Sequence, residues 1–197
     1  RARELYRRAL ARFEVAEAEV DQHKALNGIA ESFRLEGERD EALDQFRALL
    51  ERQEQCAATH DQDLTRFNIA LTLIGAGRYR QAEGVLAQVA SALEERPHEV
   101  LQVGLVFCAI ACAAARGAWE RFDAGMHRAR AALRREGLVE HDDAVNLRLA
   151  GELAAAQGEL ARARDAYDLA RQIWAESDAR AAAEMAVRIG GMSDGPS

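Results

Sequence analysis

A period of 40 residues runs through the sequence and constrains the fold more than any other feature. Small and apolar residues return at this spacing along most of the chain, and a glycine lies between the two rows of each repeat. A regular period of this length is the signature of a repeat architecture, in which each repeat is one small packed motif. The rows are Phe33, Leu73, Ala113 and Leu153; Tyr6, Phe46, Leu86 and Met126; and Gly37, Gly77, Gly117 and, one residue late, Gly158.

Each repeat reads as two helices. Apolar residues share one face of a first segment, as in Ile29 and Phe33, and one face of a second segment, as in Ala42 and Phe46. The glycine between them suits a left-handed residue that ends a helix and reverses the chain. We expect Asp21, Asp61 and Asp142 to cap the first helices, and the predicted helices are 1–19, 22–36, 39–57, 62–75, 79–95, 98–115, 119–136, 142–156, 160–176 and 178–189.

This pattern resembles the tetratricopeptide repeat. Gly77, Arg78 and Tyr79 followed by Ala82 are the stretch most typical of that family, and the resemblance covers residues 1–176. HEAT and armadillo stacks have similar periods, but the glycine turn and the small-then-aromatic spacing favour the tetratricopeptide interpretation. The period of 40 rather than about 34 resembles the branch of the family with longer helices. The resemblance implies an all-α fold, a right-handed α-solenoid of antiparallel helix pairs.

The period divides the chain into a half unit (1–20), four units (21–60, 61–97, 98–140 and 141–177), a closing helix (178–189) and a flexible tail (190–197). The sequence begins inside a helical pattern without Met. We therefore expect it to be a piece of a longer protein, and the pattern resembles the C-terminal repeat region of a large bacterial regulatory protein.

Composition excludes several functional classes. The net charge of −7 argues against a nucleic-acid partner, which would require a basic face. No apolar run is long enough to cross a bilayer and no signal peptide is visible. Three cysteines in 197 residues do not make a disulfide framework, which favours a reducing, cytoplasmic location.

The resemblance places a binding groove along the first helices, where the family holds a peptide or a partner helix. We expect this groove to be polar at its N-terminal end, with an apolar floor in the middle flanked by polar atoms. The candidate residues for binding a partner are Lys24, Asn27, Glu31, Arg34, Leu64, Phe67, Asn68, Leu71, Phe107, Leu147 and Arg148. The alternative is that Phe67 and Phe107 are core residues, in helices rotated by one position.

The sequence gives little support for a metal site or for catalysis. Cys108 and Cys112 lie four apart, as do Cys56 and His60, and such pairs can hold zinc. Cysteine is, however, commonly a buried apolar residue, so we expect no metal and no cofactor. No phosphate loop, nucleophile motif or oriented acid–base pair is present, so we expect no enzyme.

The sequence therefore predicts a protein–protein interaction module, a scaffold or regulatory arm in signalling, with a protein or peptide partner such as an amphipathic helix. Two alternatives remain open. One is self-association into a homo-oligomer. The other is a domain of a larger signalling protein that senses a peptide or another ligand.

Overall fold

The computed structural model describes residues 2–56, 59–135, 138–175 and 177–192, apart from the side chains of residues 59 and 60. In these ranges the chain forms helices joined by short turns, and the predicted all-α class is confirmed. The ends of the helices differ from the predicted ones by at most four residues. The helices are α1 (Ala2–Val15), α2 (Glu19–Leu35), α3 (Arg39–Gln55), α4 (Thr59–Gly75), α5 (Tyr79–Glu95), α6 (Glu99–Ala115), α7 (Trp119–Leu133), α8 (His141–Ala156), α9 (Leu160–Trp174) and α10 (Ala179–Gly191).

The chain divides into two compact units, Arg1–Arg96 (unit 1) and Pro97–Ser197 (unit 2). In unit 1, each helix from α1 to α5 packs against the next. In unit 2, α6 packs against α7 and α8, and α9 packs against α8 and α10. The division falls one residue before the end of the predicted unit 61–97, and the predicted repeat boundaries stay predictions.

Each unit has its own apolar core, which the periodic rows supply. Ala30 and Ala70 in unit 1, and Ile110 and Ala150 in unit 2, are all 0% exposed. Small side chains at such positions let helices approach closely. Gly151 shows how closely, because a Cβ atom added there would lie 2.5 Å from Cε1 of Tyr167. These positions of the repeat are therefore buried against neighbouring helices.

The turns inside the helix pairs repeat one backbone conformation. The four glycines expected there have positive φ, with values of 84° at Gly37, 73° at Gly77, 64° at Gly117 and 81° at Gly158. In each turn the following N–H donates to the carbonyl five residues before it, as from Arg78 to Leu73 at 2.8 Å. The α1–α2 turn has the same pattern, but Glu17 takes the left-handed position with φ 54°.

The prediction for the helix starts needs correction. Asp21, Asp61 and Asp142 are not N-caps, because the helices begin one to two residues earlier and the aspartates lie in the first turn. There their charge still favours the helix dipole. Three helices in the described ranges have a side-chain cap. His98 Nδ1 accepts the N–H of Leu101 at 3.3 Å, Glu140 forms a capping box with Asp143, and Asp178 Oδ1 accepts the N–H of Ala181 at 3.0 Å.

At the C-terminal end, α10 continues through Gly190 and Gly191, two residues into the predicted tail. Residues 193–197 of that tail lie outside the described residues. Among the described residues, no helix combines the length and the apolar character that crossing a membrane requires.

Candidate functional site

The polar end of the predicted groove is a hydrogen-bonded cluster in unit 1, which we call the amide cluster (Asn27, Glu31 and Asn68). The Nδ2 of Asn68, on α4, donates to Oδ1 of Asn27 at 3.0 Å and to Oε1 of Glu31 at 3.4 Å. The Nδ2 of Asn27 donates to the same Glu31 oxygen at 3.0 Å. Asn68 is buried, while Asn27 and Glu31 on α2 are half-buried. The cluster joins α2 to α4 and leaves polar atoms at the surface.

The other predicted residues on these two helices surround the amide cluster with different exposures. Lys24 is exposed, and its Nζ lies 3.2 Å from Oδ1 of Asp21. Leu64 is exposed and Arg34 is half-buried. The α2–α4 face therefore presents a cation, amides and a carboxylate, with one exposed leucine beside them.

The expected apolar floor is not at the surface. Phe107 and Leu147 are 0% exposed, and Phe67 and Leu71 are 7% and 8% exposed. We therefore correct the prediction that these four side chains line an open groove. The alternative weighed from the sequence, that Phe67 and Phe107 are core residues, agrees with the structure. The helices are 16 or 17 residues long and apolar on more than one side, so the sequence does not fix their rotation.

Arg148 lies in unit 2 and is half-buried on α8. Its Nη1 donates to Oε1 of Glu152 at 2.7 Å, and Nη2 of Arg188 lies 3.3 Å from the same oxygen. The guanidinium of Arg188 in turn lies 5.7 Å from the ring centroid of Tyr167. Arg148 thus belongs to a second polar cluster, on α8 and α10, in which its charge is already paired.

A third group of polar side chains joins α2 to the end of α3, and we call it the junction cluster (Glu19, His23 and Cys56). One ligand atom from each of the three residues lies within 4.8 Å of the others. Sequence reasoning paired Cys56 with His60, whose side chain lies outside the described residues, and missed this group. The Cys56 thiol donates a hydrogen bond to Oε1 of Glu19. That bond is the main reason why the pKa of Cys56 is raised.

The next repeat places an ion pair at the same location. His23 and Asp63 are each the fifth residue of a 17-residue helix, and Cys56 and Arg96 are each the C-cap of the following helix. Oδ2 of Asp63 accepts from Nε of Arg96 at 3.2 Å and from Nη2 at 3.1 Å. The spacing of 33 residues that joins both pairs is therefore a signal that sequence reasoning could have used.

The remaining cysteines belong to the core of unit 2. Cys108 and Cys112 are both 0% exposed on α6. Nδ2 of Asn146 lies 3.5 Å from the sulfur of Cys108. Burial raises the pKa of Cys108 well above its ordinary value. Both thiols therefore fit the core interpretation given them from the sequence.

Asp143 is a buried carboxyl group near this core. Burial raises its pKa to about 7, against the hydrogen bond that it accepts from the backbone N–H of Glu140 at 2.9 Å. The charges of Glu140 and Asp142 raise the pKa further. Asp143 closes the capping box of α8, so its structural role explains its position.

A cavity of about 660 Å³ in unit 2 was not indicated by the sequence. Its lining is rich in charge, and several of the charged side chains pair either with each other or with residues beside the cavity. Arg162 makes a two-pronged ion pair with Asp123, at 2.9 Å and 2.8 Å, and Arg171 binds Asp168 at 2.7 Å. The residues that line it are Asp123, Ala161, Arg162, Arg164, Asp165, Asp168 and Ile189.

The structure of a Rap protein complexed with Competence and Sporulation Factor is similar to this chain, with a TM-score of 0.63 and 17% sequence identity. The fold is a tetratricopeptide-like helical repeat. The similarity covers 96% of this chain but 57% of the Rap chain, so this chain spans a little over half the length of that protein. At this identity the similarity establishes the fold alone. No family model matches the sequence, and no curated protein matches it either.

Proposed function

We propose that this chain is a protein–protein interaction module, and that it binds an extended peptide or a partner helix on the α2–α4 face of unit 1. The observation that carries the proposal is the amide cluster, in which Asn27 and Asn68 hold the Glu31 carboxylate between two helices. The family resemblance assigns this location to the inner, binding side of the helix pairs. The similar Rap structure, solved as a complex, supports a binding role for the fold.

The chemistry of this face suits a peptide backbone. Within the amide cluster the Asn27 side chain donates one hydrogen bond and accepts one. One N–H and one lone pair remain, which can pair with a C=O and an N–H group of an extended chain. The half-buried Asn27 is already held by Glu31, so little side-chain entropy is lost when a partner binds. Lys24, exposed one turn before Asn27, adds a positive charge that favours an acidic group on the partner. In this proposal the module acts as a scaffold or as a regulatory arm and carries out no catalysis.

The test begins with peptides selected from a random library on the immobilised chain, whose dissociation constants are then measured by fluorescence anisotropy. We expect the Lys24→Glu/Asn27→Ala variant to bind them at least about tenfold more weakly, a loss of about 1.4 kcal/mol. The matched control is Arg47→Glu on α3, an exposed cation 3.6 Å from Asp44. Circular dichroism checks that both variants remain helical. Equal weakening by the two variants, or none by the first, would contradict the proposal.

Self-association is a second candidate, favoured by the exposed apolar side chains of α1. Leu5 is 59% exposed and Val15 is 87% exposed, and no residue of this helix is buried. Two copies that pair through α1 would cover this surface. Sedimentation velocity over a hundredfold range of concentration decides the matter, with Leu5→Glu as the variant that should restore a monomer. A wild-type chain that is monomeric at every concentration would reject this candidate.

A further inference from the structure

The junction cluster contains three different metal-donor groups. Glu19 and His23 lie four residues apart on α2, so they share one face of that helix. Cys56 reaches the same place from the C-cap of α3. The three ligand atoms, a carboxylate oxygen, an imidazole nitrogen and a sulfur, lie within 4.8 Å of one another. His23 is 5% exposed, whereas Glu19 and Cys56 are exposed.

The neighbouring repeat shows that this location need not have this composition. There, Asp63 and Arg96 neutralise each other and tie the start of α4 to the end of α5. In the first repeat the equivalent residues are His23 and Cys56, so a cysteine takes the place of the arginine of the second junction. An additional carboxylate from Glu19 lies beside them instead. A bound cation would add to the positive charge of the nearby Arg52 and would face the Glu19 carboxylate as Arg96 faces that of Asp63.

We propose that Glu19, His23 and Cys56 bind one divalent transition-metal ion of the zinc class. Thiolate, imidazole and carboxylate are the donors that Zn²⁺ takes in proteins, and a sulfur donor disfavours Mg²⁺ and Ca²⁺. With metal–ligand bonds of about 2.0–2.3 Å, a tetrahedral ion holds its ligand atoms roughly 3.3–3.8 Å apart. The Glu19 and Cys56 side chains are exposed, so they are free of core packing that would prevent them from rotating toward that spacing. This proposal departs from the expectation of no metal that the sequence supported.

Three protein ligands leave the fourth position of a tetrahedral ion open. When the ion binds, the Cys56 sulfur gives up its proton to solvent and bonds to the metal, so the thiol proton is exchanged for the cation with no change in oxidation state. Water or a group of a partner protein completes the coordination. The exposed Glu19 and Cys56 leave a path by which the ion enters. Because the ligands come from two helices, the metal also cross-links the end of α3 to the start of α2.

The test uses the whole chain, freed of metal with a chelator and titrated first with Co²⁺ and then with Zn²⁺. We expect one equivalent of Co²⁺ to produce the thiolate-to-cobalt charge-transfer band, and Zn²⁺ to displace it. The Cys56→Ser variant should lose this band although it retains Cys108 and Cys112. Glu19→Gln should weaken zinc binding by about tenfold or more. Both substitutions are at exposed positions, so the test does not depend on changing the buried His23.

Asp21→Asn is the matched control, because Asp21 lies in the same helical turn as Glu19 but outside the junction cluster. It should bind both metals as the wild-type chain does. Zinc should also raise the melting temperature of the wild-type chain and leave that of Cys56→Ser unchanged. Absence of the charge-transfer band in the wild-type chain, its persistence in Cys56→Ser, or equal weakening by Asp21→Asn would overturn the proposal.

Discussion

Arg96 forms an ion pair with the carboxylate of Asp63, with Nε 3.2 Å and Nη2 3.1 Å from Oδ2. Asp63 is 1% exposed, and the other nearby cation is Arg66, whose Nη1 is 3.6 Å from Oδ1. We expect Arg96→Ala to lower the free energy of unfolding by about 2–4 kcal/mol, because it leaves a buried carboxylate with one longer ion pair. Urea denaturation followed by circular dichroism measures the change.

A second ion pair provides the control for this prediction. Nη2 of Arg78 lies 2.6 Å from Oδ1 of Asp40, closer than in the Asp63 pair, but the side chains are 41% and 74% exposed. Arg78→Ala should therefore cost at most about 1 kcal/mol. A loss as large as that of Arg96→Ala would mean that burial does not decide the strength of these pairs.

Gly151 is a position where a single methyl group is costly. A Cβ atom there would lie 2.5 Å and 2.6 Å from Cε1 and Cδ1 of Tyr167, a ring that is 2% exposed and has little room to move. We expect Gly151→Ala to lower the free energy of unfolding by about 1–3 kcal/mol. Gly84→Ala in α5 is the control, since nothing lies within 4 Å of its Cβ position. It should stabilise the chain by about 0.5–1 kcal/mol. The same sign for both variants would refute the packing argument.

Glu17 is the one non-glycine residue with a positive φ among the described residues. It occupies in the α1–α2 turn the position that glycine holds in the turns within the helix pairs. Glycine adopts a positive φ without strain, so Glu17→Gly stabilises the folded chain. Glycine also gives the unfolded chain more conformational freedom, which opposes this gain. We expect the first effect to be larger and the free energy of unfolding to rise by a few tenths to about 1 kcal/mol. Gly77→Ala, which imposes the opposite change, should lower it by about 1 kcal/mol. Thermal unfolding of both variants is the measurement, and destabilisation by Glu17→Gly would contradict the prediction.

Asp143 should make stability depend on pH in an unusual direction. Its pKa is about 7 in the folded chain and 3.8 ordinarily, so the folded state holds the proton more tightly. The resulting stabilisation is complete below about pH 4 and is lost as the pH rises through about 7. Asp143→Asn keeps an oxygen that accepts the Glu140 N–H and removes the titration. Relative to wild type, this variant should therefore gain stability steadily from pH 4 to pH 8 in urea titrations.

The control for Asp143 has the opposite sign. The hydrogen bond from Arg162 lowers the pKa of Asp123, so the stabilisation from this exposed carboxylate is present above its ordinary pKa and fades as the pH falls. The free energy of unfolding of Asp123→Asn should therefore be slightly lower than that of the wild-type chain at neutral pH, and the difference should disappear near pH 3. Parallel pH profiles for the two variants would show that Asp143 does not titrate as described.

The fold was predictable because its determinants repeat. Gly37, Gly77 and Gly117 mark the turns at constant spacing, and Ala30 and Ala70 mark the buried face of each first helix. Periodicity and turn chemistry are local properties of the chain, so they can be read without knowing which helices touch. The helix starts were less predictable because Asp21 stabilises a first turn as well as a cap.

The candidate site was predicted in part. Asn27, Glu31 and Asn68 do lie together, but Phe107 and Leu147 are in the core. A helix such as α6, apolar on nearly every side, has no sequence pattern that fixes which residue faces outward. The binding role of these residues remains a prediction. The junction cluster was missed because its members come from two helices and meet only when α3 returns to the start of α2.

The junctions show how a duplicated motif acquires different chemistry. In three repeats a residue at or near the end of the second helix contacts a residue near the start of the first helix, 33 positions earlier in the sequence. Cys56 lies beside His23, Arg96 pairs with Asp63, and Trp174 donates a hydrogen bond to His141 at 3.1 Å. Each contact lies within one helix pair, α2–α3, α4–α5 or α8–α9, so a change at one junction leaves the other two intact. Such positions can therefore differ from one helix pair to the next while the shared turns and core keep the repeats in register.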